Sequence, residues 1–173
     1  VFAIAVTAFA EETGTITVDS PKADTTYVAY KIFDVVYDTA TPKHYAHTIA
    51  YDSEWLSAVQ GYNGVSLSNL VTDADGNKFY VVTQNANFSA PEFAVALKSA
   101  VSGKHGVTLQ AKADGTVSAS GFPLGYYFVT SSTGALCNLT TTNPDVTIHD
   151  KNDIPLEKVD DQESVDVGTT VNY

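Results

Sequence analysis

The chain has 173 residues, of which 44% are hydrophobic and 17% charged, so it can fold around one substantial core and is not a disordered segment. Its formal net charge of -11 argues against binding to nucleic acid or to an anionic membrane surface, because both would repel it. The single cysteine, Cys137, cannot form an internal disulfide, and its small and apolar neighbours predict a buried, unreactive thiol.

The chain opens with small and apolar residues over positions 1–10, which end in Ala8-Phe9-Ala10. This pattern is typical of the rear part of a signal peptide and its cleavage site. The alternative is a buried N-terminal strand. We interpret residues 1–10 as the remnant of a signal peptide and Glu11 as the start of an exported protein.

Alternating apolar residues predict three strands in the first third of the chain. Residues 14–19 form the first. Residues 26–37 form a long second strand with apolar side chains on both faces, so we expect it in the centre of a sheet, with Lys31 and Phe33 on the same face. Residues 45–51 can return beside it as a hairpin partner.

Two short helices are predicted between the strands. Residues 54–59 form the first, after a polar residue that can cap it. The second starts at Ser89, because Glu92 follows three residues later as in a capping box. Apolar residues then recur on one face of this helix, which Gly103 ends.

The second half of the chain again predicts strands. They cover residues 78–82, 107–111, 116–119, 126–130 and 146–148. Asp114-Gly115 lies between two of them and is a strong hairpin signal. Residues 131–142 are polar and predict a loop that Leu136 and Leu139 anchor to the core.

About eight strands and two inserted helices, without a repeating strand–helix–strand rhythm, predict a mostly β protein. An antiparallel β-sandwich is favoured over a parallel sheet.

The end of the chain predicts a domain boundary. The final strand at residues 146–148 precedes a charged segment, 149–153, and a fresh strand pattern begins at residues 154–159. We therefore expect one domain over residues 11–153. Residues 154–173 would be a linker and the first strands of a following, truncated domain.

The order of several motifs along the chain resembles a known family. They are Gly14-x-Ile16-Thr17-Val18, Tyr27-x-Ala29-Tyr30-Lys31-Ile32-Phe33-Asp34, Gly125-Tyr126-Tyr127-Phe128-Val129, Leu139-Thr140-Thr141-Thr142 and Asp150-Lys151-Asn152. Together they resemble the N-terminal domain of a sortase-assembled backbone pilin of Gram-positive bacteria. Such pilins are strings of immunoglobulin-like domains related to the collagen-adhesin B repeat, so the resemblance implies an immunoglobulin-like antiparallel β-sandwich.

The resemblance also implies a role for one lysine. In this family a lysine at the end of the first domain, in a Tyr-Pro-Lys-Asn motif, accepts the sorting signal of the next subunit from sortase. Here Lys151 and Asn152 match that motif, whereas His149 and Asp150 depart from it. Lys151 is therefore the predicted acceptor, and the alternative is a solvated lysine among acidic residues.

The family further forms internal bonds between a buried, neutral lysine and an asparagine. Lys158 resembles the reacting lysine of the following domain, whose partners would lie beyond the end of this chain. Lys31 is a second candidate, with Asn138 or Asn152 as its partner. The alternative for Lys31 is a lysine whose stem lies on the strand while its ammonium reaches water.

The resemblance implies a secreted, cell-wall-anchored subunit of an extracellular pilus. Its partners would be other copies of the same pilin, a pilus-specific sortase and minor pilins, with no nucleic acid. We predict no enzyme activity and no catalytic, cofactor or metal site. The alternative function is a cell-wall-anchored adhesin module that binds a host glycan or protein. A patch of exposed tyrosines on one surface would favour it, and the candidates are Tyr37, Tyr45, Tyr51 and Tyr62.

Overall fold

The computed structural model describes residues 12–37, 45–131 and 134–150. Within them the chain forms twelve strands and two helices, so the prediction of a mostly β protein with two short helices is confirmed. The strands are β1 (Thr13–Val18), β2 (Val28–Tyr37), β3 (Tyr45–Ala50), β4 (Val65–Leu67), β5 (Val71–Thr72), β6 (Lys78–Gln84), β7 (Val107–Thr108), β8 (Gln110–Ala111), β9 (Val117–Pro123), β10 (Gly125–Val129), β11 (Ala135–Leu139) and β12 (Asp145–Ile148). The helices are α1 (Leu56–Gln60) and α2 (Ala90–Ser99).

The strands form two sheets. The smaller sheet has the order β12-β1-β9-β8, and the larger has the order β11-β10-β2-β3-β6-β4, with β5 also beside β6 and β7 beside β2. Neighbouring strands of the described residues run antiparallel, except that β1 and β12 run parallel. The sandwich-like antiparallel architecture is thus confirmed. β2 lies in the interior of the larger sheet, as its two apolar faces predicted.

Two groups of buried side chains hold the layers together. The inter-sheet core lies between the two sheets and consists of Ile16, Val18, Tyr27, Ala29, Leu109, Phe122, Tyr127, Val129, Cys137 and Leu139. The helix-side core lies between the larger sheet and the helices and consists of Tyr30, Ile32, Phe33, Ile49, Trp55, Val59, Phe93, Ala94, Leu97 and Phe128. The larger sheet is therefore packed on both faces, and most of the hydrophobic stabilisation comes from these two layers.

A bulge in β2 changes which of its side chains share a face. Successive residues of β10 pair with Phe33 and Lys31, so Ile32 has no partner on that strand. Ile32 and Phe33 both belong to the helix-side core, and Lys31 shares the opposite face with Asp34. The expectation that Phe33 lies on the face of Lys31 is therefore wrong, because strict alternation fails at the bulge.

The prediction of a loop over residues 131–142 is also wrong, because this segment contains the strand β11. This strand pairs along its whole length with β10 at one side of the larger sheet. Cys137 and Leu139 join the inter-sheet core, whereas Leu136 packs against the helix-side core. The two leucines are inward anchors as predicted, but they point to opposite faces of a strand.

The predicted capping box of α2 does not form. Ser89 precedes the helix, but its side chain makes no cap hydrogen bond. The backbone of Ser89 pairs with the Tyr62 hydroxyl instead. This hydroxyl accepts a hydrogen bond from the Ser89 N–H at 2.8 Å and donates one to the Ser89 carbonyl at 3.0 Å. The helix ends at Ser99, before the predicted stop at Gly103.

Cys137 is buried, as predicted, and its burial should make the folded protein less stable at alkaline pH. Burial raises the pKa of its thiol from 9.0 to about 12. Between those values the folded chain keeps a proton that the unfolded chain releases, so the free energy of unfolding should fall as pH rises, by up to about 1.4 kcal/mol per pH unit. In urea titrations with reductant, the stability difference between the wild type and Cys137→Ala should shrink from pH 8 towards pH 10. A difference that stays constant would contradict this account.

Candidate functional site

The end of β12 is the part of the described structure that leads to the predicted acceptor lysine. β12 runs parallel to β1, so both strands end at the same side of the smaller sheet, where Val18 pairs with Ile148. The Asp19 N–H then donates a hydrogen bond to the Ile148 carbonyl at 3.2 Å. The backbone is therefore paired up to the last residue of the final described strand.

His149 continues this pairing through its side chain. Its Nδ1 lies 2.7 Å from Oδ2 of Asp19, and the imidazole is largely exposed. The other carboxylate oxygen of Asp19, Oδ1, is buried and has no hydrogen-bond partner among the described residues. One carboxylate oxygen of Asp19 thus orients the imidazole of His149, whereas the other accepts no hydrogen bond from the described residues.

Asp150 is held more firmly, because its side chain enters the protein. It is only 7% exposed, and its Oδ2 accepts a hydrogen bond from the Tyr27 hydroxyl at 2.5 Å. The same hydroxyl accepts a hydrogen bond from the Lys22 backbone N–H at 2.8 Å. Burial is the largest cause that raises the pKa of Tyr27, and its hydrogen bond to Asp150 raises that pKa further. The hydroxyl therefore remains protonated and donates to the carboxylate.

We call the set of Asp19, Lys22, Tyr27, His149 and Asp150 the junction clamp. It joins the end of β12 to the end of β1, to the loop that follows β1 and to the residue before β2. Charged hydrogen bonds such as that of Tyr27 with Asp150 are roughly twice as strong as neutral ones. The clamp therefore fixes the position of Asp150, the last described residue.

The predicted acceptor Lys151, its neighbour Asn152 and the second-domain lysine Lys158 all lie outside the described residues. The structure does describe the two residues at which the sequence departs from the pilin motif. His149 and Asp150 are both members of the junction clamp, a role that sequence reasoning missed. No local signal could have shown it, because Tyr27 and Asp150 are 123 positions apart.

Lys31 does not have the surroundings that an internal lysine–asparagine bond requires. Its Nζ lies 2.6 Å from Oδ1 of Asp34, and its side chain is 38% exposed, so this lysine is paired and partly exposed rather than buried. Asn138 and Phe33 both pair with Tyr126, one from each side, so Asn138 lies on the face opposite to Lys31. These surroundings favour the alternative for Lys31, a lysine whose ammonium reaches water, over a bond with Asn138. The other candidate partner, Asn152, lies outside the described residues.

The four tyrosines that were candidates for a surface patch do not lie together. Tyr37 and Tyr45 are neighbours, with ring centroids 5.9 Å apart. Tyr51 lies beyond the other end of β3, against Tyr80. Tyr62 packs beside the helix-side core. Only two of the four candidates, Tyr37 and Tyr45, therefore lie next to each other.

A scan of the chain against models of known protein families found no match, and a search of curated proteins found none either. Neither of the two described helices is long and apolar enough to span a bilayer. Within the described ranges, no three His, Cys, Asp or Glu side chains are grouped so that they could hold a metal ion.

Proposed function

We propose that this chain is a structural subunit of a covalently polymerised cell-surface pilus, and that Lys151 accepts the sorting signal of the next subunit from sortase. The proposal includes export from the cell and anchoring to the cell wall. It follows from the family resemblance of the motifs, and from the order in which they occur along the chain.

The junction clamp is the observation that supports this proposal most directly. A sortase must bring its bound substrate to one amine, so the amine should start from a defined point at the surface. Lys151 is joined by a peptide bond to Asp150, whose side chain is anchored by Tyr27. Holding a reacting group near its partner lowers the entropic part of the barrier. A clamped residue directly before the acceptor supports such positioning.

The proposed reaction transfers an acyl group from a thioester to an amine. The Nζ of Lys151 attacks the threonine carbonyl of a sorting signal held as a thioester on the sortase cysteine. The new C–N bond forms, the C–S bond breaks, the cysteine leaves as a thiolate, and the amine loses a proton. Free lysine has a pKa near 10.4, so little of its amine is uncharged near neutral pH. The sortase must therefore supply the base.

The test is transfer to the purified chain in vitro. A pilus-specific sortase and a fluorescent sorting-signal peptide are incubated with the wild type and with Lys151→Arg, which keeps the charge but has no nucleophilic amine. Lys158→Arg is the matched control, seven residues further along. We expect labelling of the wild type and of Lys158→Arg, and none of Lys151→Arg.

Peptide mapping of the labelled product decides the outcome. All nine basic residues of the chain are lysines, so eight other side-chain amines compete with the predicted one. A label on Lys151 in the wild type supports the proposal. Labelling of Lys151→Arg at the wild-type level, or a label that maps to another lysine, would contradict it.

A second function, an adhesin module that binds a host glycan or protein, is favoured by one observation. Tyr37 and Tyr45 lie side by side, and Tyr45 is 45% exposed. Exposed aromatic side chains are enriched in recognition surfaces, because they combine apolar area with a polar group. The two functions do not exclude each other, since the junction clamp and this pair of rings use different residues.

A further inference from the structure

The larger sheet carries a pocket beside the helix-side core. Its volume is about 370 Å³, at the small end of the range of roughly 300–1,000 Å³ typical of small-molecule sites. The pocket is lined by Phe33, Tyr45, His47, Gln84, Phe88 and Tyr126, together with two valines. These residues come from β2, β3, β4, β6, β10 and the segment that precedes α2, so several elements fix the shape of the pocket.

The walls of the pocket are aromatic rings that support one another. The His47 ring lies with its centroid 5.5 Å from those of Tyr45 and Tyr126, nearly perpendicular to both. Phe33 packs 5.5 Å from Tyr126 on the inner side. Because each ring is held by its neighbours, the wall is formed before any ligand arrives, which reduces the entropy lost on binding.

The polar groups of the pocket are oriented by Asn138. Its Oδ1 lies 3.0 Å from His47 Nε2, and since an amide oxygen can only accept, that nitrogen carries the proton. In the neutral imidazole, Nδ1 is then an acceptor. The Asn138 amide donates to the Tyr45 hydroxyl at 3.2 Å, which leaves the Tyr45 proton able to reach a ligand.

The lining residues contain no carboxylate, ammonium or guanidinium group. Neutral donors and acceptors are among the lining groups, including the Gln84 amide and the phenols of Tyr45 and Tyr126. The chain as a whole has a net charge of -11, which repels anionic ligands. A ligand that fits must therefore offer uncharged hydrogen-bonding groups and a face that can stack on aromatic rings.

We propose that this pocket binds a neutral sugar, a hexose or N-acetylhexosamine unit of a glycan. The C–H groups on one face of such a ring carry a small positive charge and stack on the electron-rich faces of aromatic rings. Its hydroxyl groups can pair with Gln84, His47 and Tyr45. The proposal gives the adhesin function a ligand class and a site, and it does not depend on Lys151.

The test is an NMR titration of the isotope-labelled chain with lactose, N-acetyllactosamine, mannobiose and diacetylchitobiose. At sugar concentrations of about 10 mM, at least one of them should shift resonances of the pocket residues, as expected for a dissociation constant in the millimolar range. Sialyllactose, an anionic relative of lactose, should bind more weakly than lactose.

Two matched variants locate the site. Tyr45→Ala removes a half-exposed ring from the pocket wall, and Tyr51→Ala removes a ring that is 55% exposed beyond the other end of the same strand. We expect affinity about fivefold weaker for Tyr45→Ala and unchanged for Tyr51→Ala. Gln84→Leu, at an exposed position, should weaken binding without unfolding the chain.

Four results would overturn the proposal. In the first, no neutral sugar shifts the pocket resonances. In the second, lactose binds and sialyllactose binds as tightly. In the third, Tyr45→Ala and Tyr51→Ala bind sugar equally well. Shifts produced only by a tyrosine- or phenylalanine-containing peptide would also overturn it, in favour of a protein side chain as the occupant. No sortase is present, so failure here leaves the polymerisation proposal intact.

Discussion

Replacing Gly14 with alanine is expected to destabilise the domain by at least about 3 kcal/mol, at the upper end of what overpacking costs. A Cβ atom at this position would lie 1.8 Å from the Pro144 carbonyl oxygen and 2.9 Å from Cδ2 of Leu139. That carbonyl accepts a hydrogen bond from the Thr15 N–H at 3.1 Å. The backbone therefore cannot move away without losing the first bond between β1 and β12.

The measurement is urea unfolding of the wild type, Gly14→Ala and a control, Gly61→Ala. Gly61 follows α1 in a right-handed conformation, with φ at -75°, and a Cβ there would meet its nearest neighbour, the Ser57 carbonyl oxygen, at 3.4 Å. Alanine fits, so its effect should stay within about 1 kcal/mol. A domain of this size has about 5–15 kcal/mol in total, so a loss of 3 is easily measured. Equal stabilities of the two variants would contradict the packing argument.

Local patterns predicted the fold well wherever the physical cause was local. The long apolar run that became β2 has side chains buried on both faces, and only an interior strand provides two such faces. The turn at Asp114-Gly115 formed because Gly115 adopts a positive φ of 84° and the Asp114 carboxylate accepts hydrogen bonds from Thr116.

Prediction failed where pairing with a distant strand decided the structure. β11 has the polar Asn138 among its apolar residues and a polar segment before it, so its sequence resembles a loop. Its pairing with β10 and the burial of Cys137 and Leu139 make it a strand. In the same way, the bulge at Ile32 reflects the register of β2 against β10, which no pattern within β2 reveals.

The candidate sites show the same limit. The sequence indicated a junction lysine through its resemblance to a family motif, but His149 and Asp150 counted only as mismatches. Their contacts with Asp19 and Tyr27 exist because the parallel pairing of β1 and β12 brings the ends of these two strands together. The pocket beside the helix-side core likewise combines Tyr45 and His47 with residues from several strands, and periodicity alone does not bring such residues together.

Removing the Tyr27 hydroxyl is expected to loosen the junction clamp. Tyr27→Phe keeps the buried ring but deletes the group that donates to Asp150 and accepts from the Lys22 N–H. Hydrogen bonds to charged groups contribute about 1.5–3 kcal/mol, so we expect the free energy of unfolding to fall by about 2–3 kcal/mol. Amide hydrogen exchange at Ile148 and Asp150 should become faster.

Tyr127→Phe is the matched control, because Tyr127 is equally buried in the inter-sheet core but donates to a neutral group, the Pro123 carbonyl, at 2.7 Å. It should lose only about 1 kcal/mol and leave exchange at Ile148 unchanged. If both variants lose the same stability and neither speeds amide exchange at the end of β12, Tyr27 does not fix the position of Asp150. In that case the chain before Lys151 lacks the fixed position on which acylation by sortase is proposed to depend, and positioning would have to come from the enzyme.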